Sequence, residues 1–245
     1  MSGIFGPTGF PTLDRLSAFV ETYRSRMDNK NNNLFAASAG GWWRYHAFLT
    51  HVLVRHDRSN AEYVEAQKRW MRLAMRPESA GTSRPMTPED VVAWKHTADL
   101  ATVLHLDIET FYLFAKILLD RIADTFGLVF GVKWRSGGSS YSDLSKRFAA
   151  LCREKGLEIR PDNLPALISK LWEAIVDYRN KMIEHLDEPL MPGTLTSPGQ
   201  ASSIATGRGR QTEDPHALLR MVDEYIEAML TFFEVNAKKS ALIVS

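Results

Sequence analysis

Arg179, Asn180 and His185 stand in the run Arg179-Asn180-Lys181-Met182-Ile183-Glu184-His185, with five residues between the arginine and the histidine. An arginine offers a planar, permanently charged fork that matches phosphate oxygens and can stabilise charge building on a phosphorane-like transition state. A histidine titrates near neutrality, so it can take a proton from a ribose 2′-hydroxyl or return one to a leaving oxygen. Asn180 can hydrogen-bond a substrate or position a neighbour. Against this stand Glu184, Asp187 and Glu188, which favour imidazolium and repel phosphate.

The element that must position these residues is an amphipathic helix expected over residues 163–189. Leu164, Ile168, Leu171, Ile175, Tyr178, Met182 and Leu186 recur at spacings of three and four and make one apolar stripe. Asp162 or Asn163 can cap its start, Pro165 suits the first turn, and Pro189 stops it. On a straight helix Arg179 and His185 flank the stripe on opposite sides, about 120° apart and roughly 9 Å along the axis. They converge only through long side chains, a distorted last turn or a partner helix.

Spacing alone separates little, since the same window also catches Arg44 to His51 and Arg210 to His216. What distinguishes Arg179–His185 is the asparagine after the arginine, the end of a long striped helix, and that helix's place late in the chain. In these features the run resembles the signature of the HEPN superfamily of small helical proteins, and the resemblance covers about residues 88 to 237. Asp107-Ile108-Glu109-Thr110-Phe111-Tyr112 is similar, more loosely, to the first bundle helix of HEPN-like proteins. The resemblance implies an antiparallel up-and-down helical bundle. For many members it also implies metal-independent endoribonuclease activity, of the toxin or defence type, in a homodimer whose paired Arg and His line one cleft. Arg179, His185 and Asn180 would be the catalytic residues, with no cofactor and no metal. An RNA substrate and an antitoxin or regulatory protein are the partners it implies. Other members act as non-catalytic dimeric binding or scaffold modules, and that alternative stays open at this point.

The formal net charge of +1 gives no global footprint for coating nucleic acid, so DNA binding is not expected, while an enzyme touching a few phosphates is not excluded. One cysteine, Cys152, excludes an internal disulfide and fits a reducing compartment. It sits among apolar neighbours and is expected to be a packed thiol. No signal peptide and no membrane-length apolar run is apparent, so the expectation is a cytoplasmic protein.

Two regions are expected: an N-terminal helical extension over 1–85 and a HEPN-like bundle over 86–245. In the first, Thr12 is expected to cap a helix to about Asp28. Asn29–Asn33 and Ala39-Gly40-Gly41 read as breaks, Trp42 to Val54 as a helix, and Asn60 as the start of another to about Arg76. His46, His51 and His56 recur every five residues, a step that scatters them around a helix and reads as boundary histidines rather than a metal set. In the second region, Thr87-Pro88-Glu89-Asp90 is a strong helix start, and the pattern then runs unbroken to Phe126. Leu106, Leu113 and Ile117 give that helix a second apolar side, suited to a central position or a subunit interface. Its narrow polar band carries Glu109, Lys116 and Asp120. Lys116–Asp120 can pair along the helix, or Glu109 or Lys116 can face the 163–189 helix. Ser140 is expected to cap a helix ending at Gly156, residues 190–212 read as a long loop, and Asp214-Pro215 opens the last helix.

Overall fold

A computed structural model of the chain describes residues 11–24, 29–75, 86–134, 139–177, 194–195, 203–204 and 214–240. These form an all-α bundle. In chain order the helices are α1 (Pro11–Arg24), α2 (Asn29–Ala74), α3 (Pro88–Phe130), α4 (Ser140–Lys155), α5 (Leu164–Leu171) and α6 (Pro215–Val235). A π-helical turn over Trp172–Asp177 continues α5, and a 3-10 turn over Ala237–Lys239 follows α6. The only extended pairing among the described residues is a two-residue antiparallel ladder, Thr194–Leu195 with Ser203–Ile204. No helix among the described residues is long and apolar enough to cross a membrane.

The frame is an antiparallel hairpin of α2 and α3, and here the chain departs from the sequence reading. The expected breaks at the asparagine run, at Ala39-Gly40-Gly41 and before Asn60 are absent: α2 is one helix of 46 residues. Tertiary contact overrides local propensity in each case. Asn32 accepts a hydrogen bond from Arg24 Nε at 2.7 Å, which ties the helix start to α1. A Cβ at Gly41 would stand 3.1 Å from Arg121 Cγ, so the missing side chain is what lets α2 lie close against α3. One residue on, Trp42 is fully buried, and its indole N–H donates to Thr125 Oγ1 at 3.0 Å.

α3 starts where the sequence placed it. Thr87 and Asp90 form a reciprocal capping box, with Pro88 in the first turn. The helix runs past Phe126 to Phe130. α4 is capped by Ser139, one residue before the expected Ser140, whose own hydroxyl donates to Asp124. It ends at Gly156 in the left-handed region, φ 61°. α1 begins at Pro11, so Thr12 lies inside it rather than capping it, and Leu13, Leu16, Phe19 and Tyr23 are its buried residues.

Leu13 of α1, Leu49 of α2, Phe126 of α3, Leu144 of α4, Ile168 of α5 and Phe232 of α6 all belong to one contiguous hydrophobic cluster. Its centre is aromatic: Phe126 stacks on Phe232 with ring centroids 5.8 Å apart, and Phe148 lies 5.4 Å from Phe232. Cys152 is packed within it, and burial pushes its thiol up to about 11, which leaves it protonated and inert.

The hairpin is longer than the bundle. α6 begins beside Asp57, and beyond that level α2 and α3 project as a two-helix arm of roughly 26 Å. The arm has its own small core of Tyr63, Ala66, Leu100 and Leu104.

Truncating Trp42 to alanine removes a fully buried ring and the indole hydrogen bond to Thr125. Trp42→Ala is therefore expected to lower stability by about 3–5 kcal/mol. Urea unfolding followed by circular dichroism checks this. A loss below about 1 kcal/mol would mean that the α2–α3 contact at Gly41 does not organise the hairpin.

Candidate functional site

Arg179, Asn180 and His185 lie outside the described residues. What the structure does describe is the element that leads to them. The expected cap at Asn163 makes no side-chain hydrogen bond, but α5 starts there, with Pro165 in its first turn. Leu164, Leu167, Ile168, Leu171, Ile175 and Val176 are buried, so the predicted stripe faces the core as far as Ile175, and its remaining members, Tyr178, Met182 and Leu186, lie outside the described residues. At Trp172 the chain widens to π geometry, so the spacing of a straight α-helix no longer relates the residues on its two sides.

The direction of α5 is fixed at both ends. Asn236, just after α6, donates to the Glu158 carbonyl and accepts from the Glu158 amide, each at 2.8 Å, so the approach to α5 lies at the α6 C-terminus. Farther along, the Tyr141 hydroxyl donates to the Ile168 carbonyl while its ring meets Tyr225 edge-on, near the middle of α6. α5 and its π turn therefore run toward the end of the bundle where α6 begins.

That end carries a cluster of ionisable side chains. Asp107 of α3 is 1% exposed, and its Oδ1 accepts from Arg55 Nε at 2.7 Å. The Arg55 side chain is 58% exposed, a solvated cation leaning on a buried anion. Asp107 Oδ2 is buried and has no hydrogen-bond partner among the described residues. Next to Arg55 on α2, His56 is buried, with Nδ1 3.8 Å from Asp57 Oδ1. His216, in the first turn of α6, reaches the same Asp57 oxygen with Nε2 at 2.9 Å. Farther along the same seam, the buried His46 meets Asp223 at 2.6 Å.

An unpaired buried carboxylate oxygen costs about 1–3 kcal/mol relative to a satisfied one. Such a group is a candidate for function rather than for stability. It offers an acceptor to an incoming imidazole, amide or cation. Burial is the largest influence on His56 and lowers its pKa, against the opposing pull of the Asp57 and Asp107 charges. The neutral imidazole it favours is the form that can accept a proton.

The three regularly spaced histidines separate as helical geometry requires. His46 and His56 turn inward and His51 stays exposed. Among the described residues no three His, Cys, Asp or Glu side chains are grouped as a metal set. On α3, Lys116 pairs with Asp120 at 3.0 Å and Glu109 with His105 at 3.0 Å, so both are engaged along their own helix. Asp120 also accepts from the Tyr141 amide and so holds the start of α4. Trp43, Arg44 and Tyr45 line a groove of about 720 Å³ with Arg121 and Asp124, toward the opposite end of α2 from Asp107.

Sequence reasoning noticed Asp107 only within a loosely similar segment, named Arg55 only among basic residues interleaved with aromatics and His216 only as a chance Arg-to-His spacing, and did not single out Asp57. The signal was present, because Asp107 stands three residues after Leu104 and four before Phe111, a charged residue on the core face of an apolar stripe. Comparison with protein-family models, with curated proteins and with solved structures finds no match.

The His56 environment has a pH signature. Its folded pKa lies below the ordinary value, so as pH falls below about 6.5 the unfolded chain binds the proton first and stability declines. Between pH 7.5 and 5.5 the wild-type urea midpoint is expected to fall more than that of His56→Gln. Equal falls would show that burial of His56 does not couple folding to protonation, and a larger fall in the variant would show that the carboxylates outweigh burial.

Proposed function

We propose that the chain is a metal-independent endoribonuclease of the toxin or defence type, acting as a homodimer with Arg179, His185 and Asn180 in its site. One observation carries the reading: α5, the helix that leads to Arg179, runs toward the same end of the bundle as the half-satisfied Asp107 carboxylate. That end also holds an exposed guanidinium and two further imidazoles. The HEPN resemblance of residues 179–185 supplies the reaction class, and the all-α bundle is compatible with it.

In this reading Arg179 binds the non-bridging oxygens of one phosphodiester and stabilises the charge that gathers there. The 2′-hydroxyl attacks phosphorus as its proton passes to a neutral histidine. The P–O5′ bond breaks, and the leaving 5′-oxygen takes a proton from a second, protonated histidine. The products are a 2′,3′-cyclic phosphate and a 5′-hydroxyl. His185 of each subunit takes one role, and Asn180 hydrogen-bonds the substrate. Arg55 adds a cation at the mouth of the cluster. Such an activity in a reducing cytoplasm, which the single cysteine suits, calls for an antitoxin or regulatory protein to restrain it.

A second reading is a non-catalytic dimeric binding or scaffold module. It is favoured by the acids beside His185 and by the apolar side chains that α3 leaves exposed.

The two readings part on mixed RNA incubated in EDTA with wild type, Arg179→Ala and His185→Ala at matched helicity. Cleavage to 2′,3′-cyclic phosphate ends, reduced at least a hundredfold in both variants, is the expected result. A folded dimer that leaves RNA intact even at high enzyme concentration overturns the nuclease and leaves the module. Cleavage that survives both substitutions places the activity elsewhere.

A further inference from the structure

Two cavities follow one another along the seam between α2 and α3. The first, of about 720 Å³, lies over Gly40 and Gly41, with Arg44 and Arg121 on its walls. The second, of about 270 Å³, is lined by Phe48, His51, Arg55 and Phe114. They meet at three aromatic rings. The Tyr45 centroid lies 5.7 Å from Phe48 and 6.0 Å from Phe114, which are 5.1 Å from each other. Tyr45 lines the first cavity and the other two rings line the second, so the pair forms one furrow. Gly41, Arg44, Phe48, His51 and Arg55 recur in alternating steps of three and four, which keeps them on one side of α2.

The furrow is cationic although the chain as a whole is nearly neutral. Three arginines and a histidine line it against one carboxylate, Asp124. Ser140 already donates to Asp124 at 2.5 Å, and Arg121 stands 3.8 Å from it. Arg44 is exposed and makes no ion pair among the described residues. Arg55 leans on Asp107 with most of its side chain in solvent. The rings are open to solvent as well: Phe48 is 38% exposed, and Tyr45 and Phe114 are partly exposed beside it. A Cβ at Gly40 would meet nothing within 4 Å, so packing inside the chain does not account for a glycine in mid-helix. Its missing side chain instead lowers the floor of the first cavity to the backbone.

We propose that this furrow binds single-stranded RNA, with phosphates on Arg44, Arg121 and Arg55 and unpaired bases against the Tyr45, Phe48 and Phe114 rings. Each feature selects that occupant. Cations spaced along a groove track a polyanion, and aromatic faces take any base that is free of a partner. A duplex keeps its base faces stacked within itself, beyond the reach of such rings. An acidic peptide would use the arginines and leave three adjoining rings without a purpose. Arg44 and Arg55 stand about 16 Å apart along α2, room for a few extended nucleotides. The furrow ends at Arg55, beside the buried Asp107, so a strand lying in it is delivered to the candidate site. The α2 residues of the furrow precede residue 88, where the HEPN resemblance begins, and give the N-terminal region a task of its own. The inference rests on the proposed function for the choice of RNA and deepens it by naming how the substrate is held.

The probe is a fluorescein-labelled 2′-O-methyl oligoribonucleotide, which has no free 2′-hydroxyl and so cannot be cut by the proposed reaction. Its anisotropy is followed as the full chain is added. Wild type is expected to bind the single strand about tenfold or more tighter than the same strand in a duplex. Phe48→Ala and Arg44→Glu, both at exposed positions, should each weaken binding about fivefold or more at unchanged helicity. Lys146→Glu, on the exposed face of α4, should leave it unchanged. Arg44→Glu should also flatten the slope of log K against log salt by roughly 0.7 for the phosphate it releases. Equal affinity for strand and duplex, furrow variants that bind as wild type does, or equal weakening by Lys146→Glu would each overturn the furrow. Displacement of the strand by polyglutamate of equal charge would overturn it too, in favour of an acidic-peptide surface. Cleavage of unmodified RNA is read separately. Furrow-dependent binding without cleavage overturns the nuclease alone, and cleavage without furrow-dependent binding overturns the furrow alone.

Discussion

Helix length is the constraint on which the rest of this structure depends. α2 and α3 hold 46 and 43 residues, while α1, α4 and α6 hold 14, 16 and 21. Three short helices cannot cover two long ones. Once Gly41 lets α2 lie against α3 and Trp42 locks the pair through Thr125, the hairpin must overhang wherever the shorter helices stop. α6 stops at its own first turn, where His216 meets Asp57. The junction between covered and uncovered hairpin is therefore where Arg55, His56 and Asp107 sit, half inside the core and half at its edge. A carboxylate can be 1% exposed there and still have a solvated cation as its partner.

That position explains the chemistry of the cluster better than any one residue does. Deeper in the bundle, an ionised carboxylate would need both oxygens satisfied or would shed its charge. Farther out on the arm, water would satisfy it and nothing would be held in readiness. At the junction Asp107 spends one oxygen on Arg55 and keeps the other buried without a protein partner among the described residues. His56, one residue from the arginine, is pushed by burial toward the neutral form, while Asp57 ties it to the α6 terminus through His216. α5 runs toward the same end because Asn236 anchors its approach at the opposite one.

Much of this was legible in the sequence, and the exceptions have a common cause. Local chemistry was readable where it is self-contained. The Thr87–Asp90 capping box, the glycine stop at Gly156 and the Asp214 cap are set by residues within a few positions of one another. What misled were residues whose meaning depends on a distant helix. Gly40-Gly41 and the asparagine run are helix-weakening taken alone, and the chain is helical through both because α3 and α1 lie alongside. At Trp172 the helix widens into a π turn, and no periodicity argument foresaw it, since in the sequence the apolar spacing of three and four runs on through these positions. Asp107 was readable but underweighted. A charge on the core side of a stripe is either an error of register or a site, and the flanking Leu104 and Phe111 exclude the first.

The overhang also bears on why the arm keeps so much apolar surface. Among the described residues its inner seam is closed by the small cluster Tyr63, Ala66, Leu100 and Leu104, with Leu73 and Ala93 also buried farther out. Val92, Val103 and Leu106 on the outer face add nothing to that core while exposed. Burying them would stabilise the arm at about 25 cal/mol per Å² of apolar surface, and would do so only in the assembled state. Folding of the arm and any association through this face would then draw on the same side chains. In the proposed homodimer the order of the site would depend on the second copy wherever association stiffened the arm, because the junction that holds Asp107 and Arg55 is the base of that arm. For a nuclease that coupling would make activity depend on assembly. For a binding module it would make the bound surface a property of the pair.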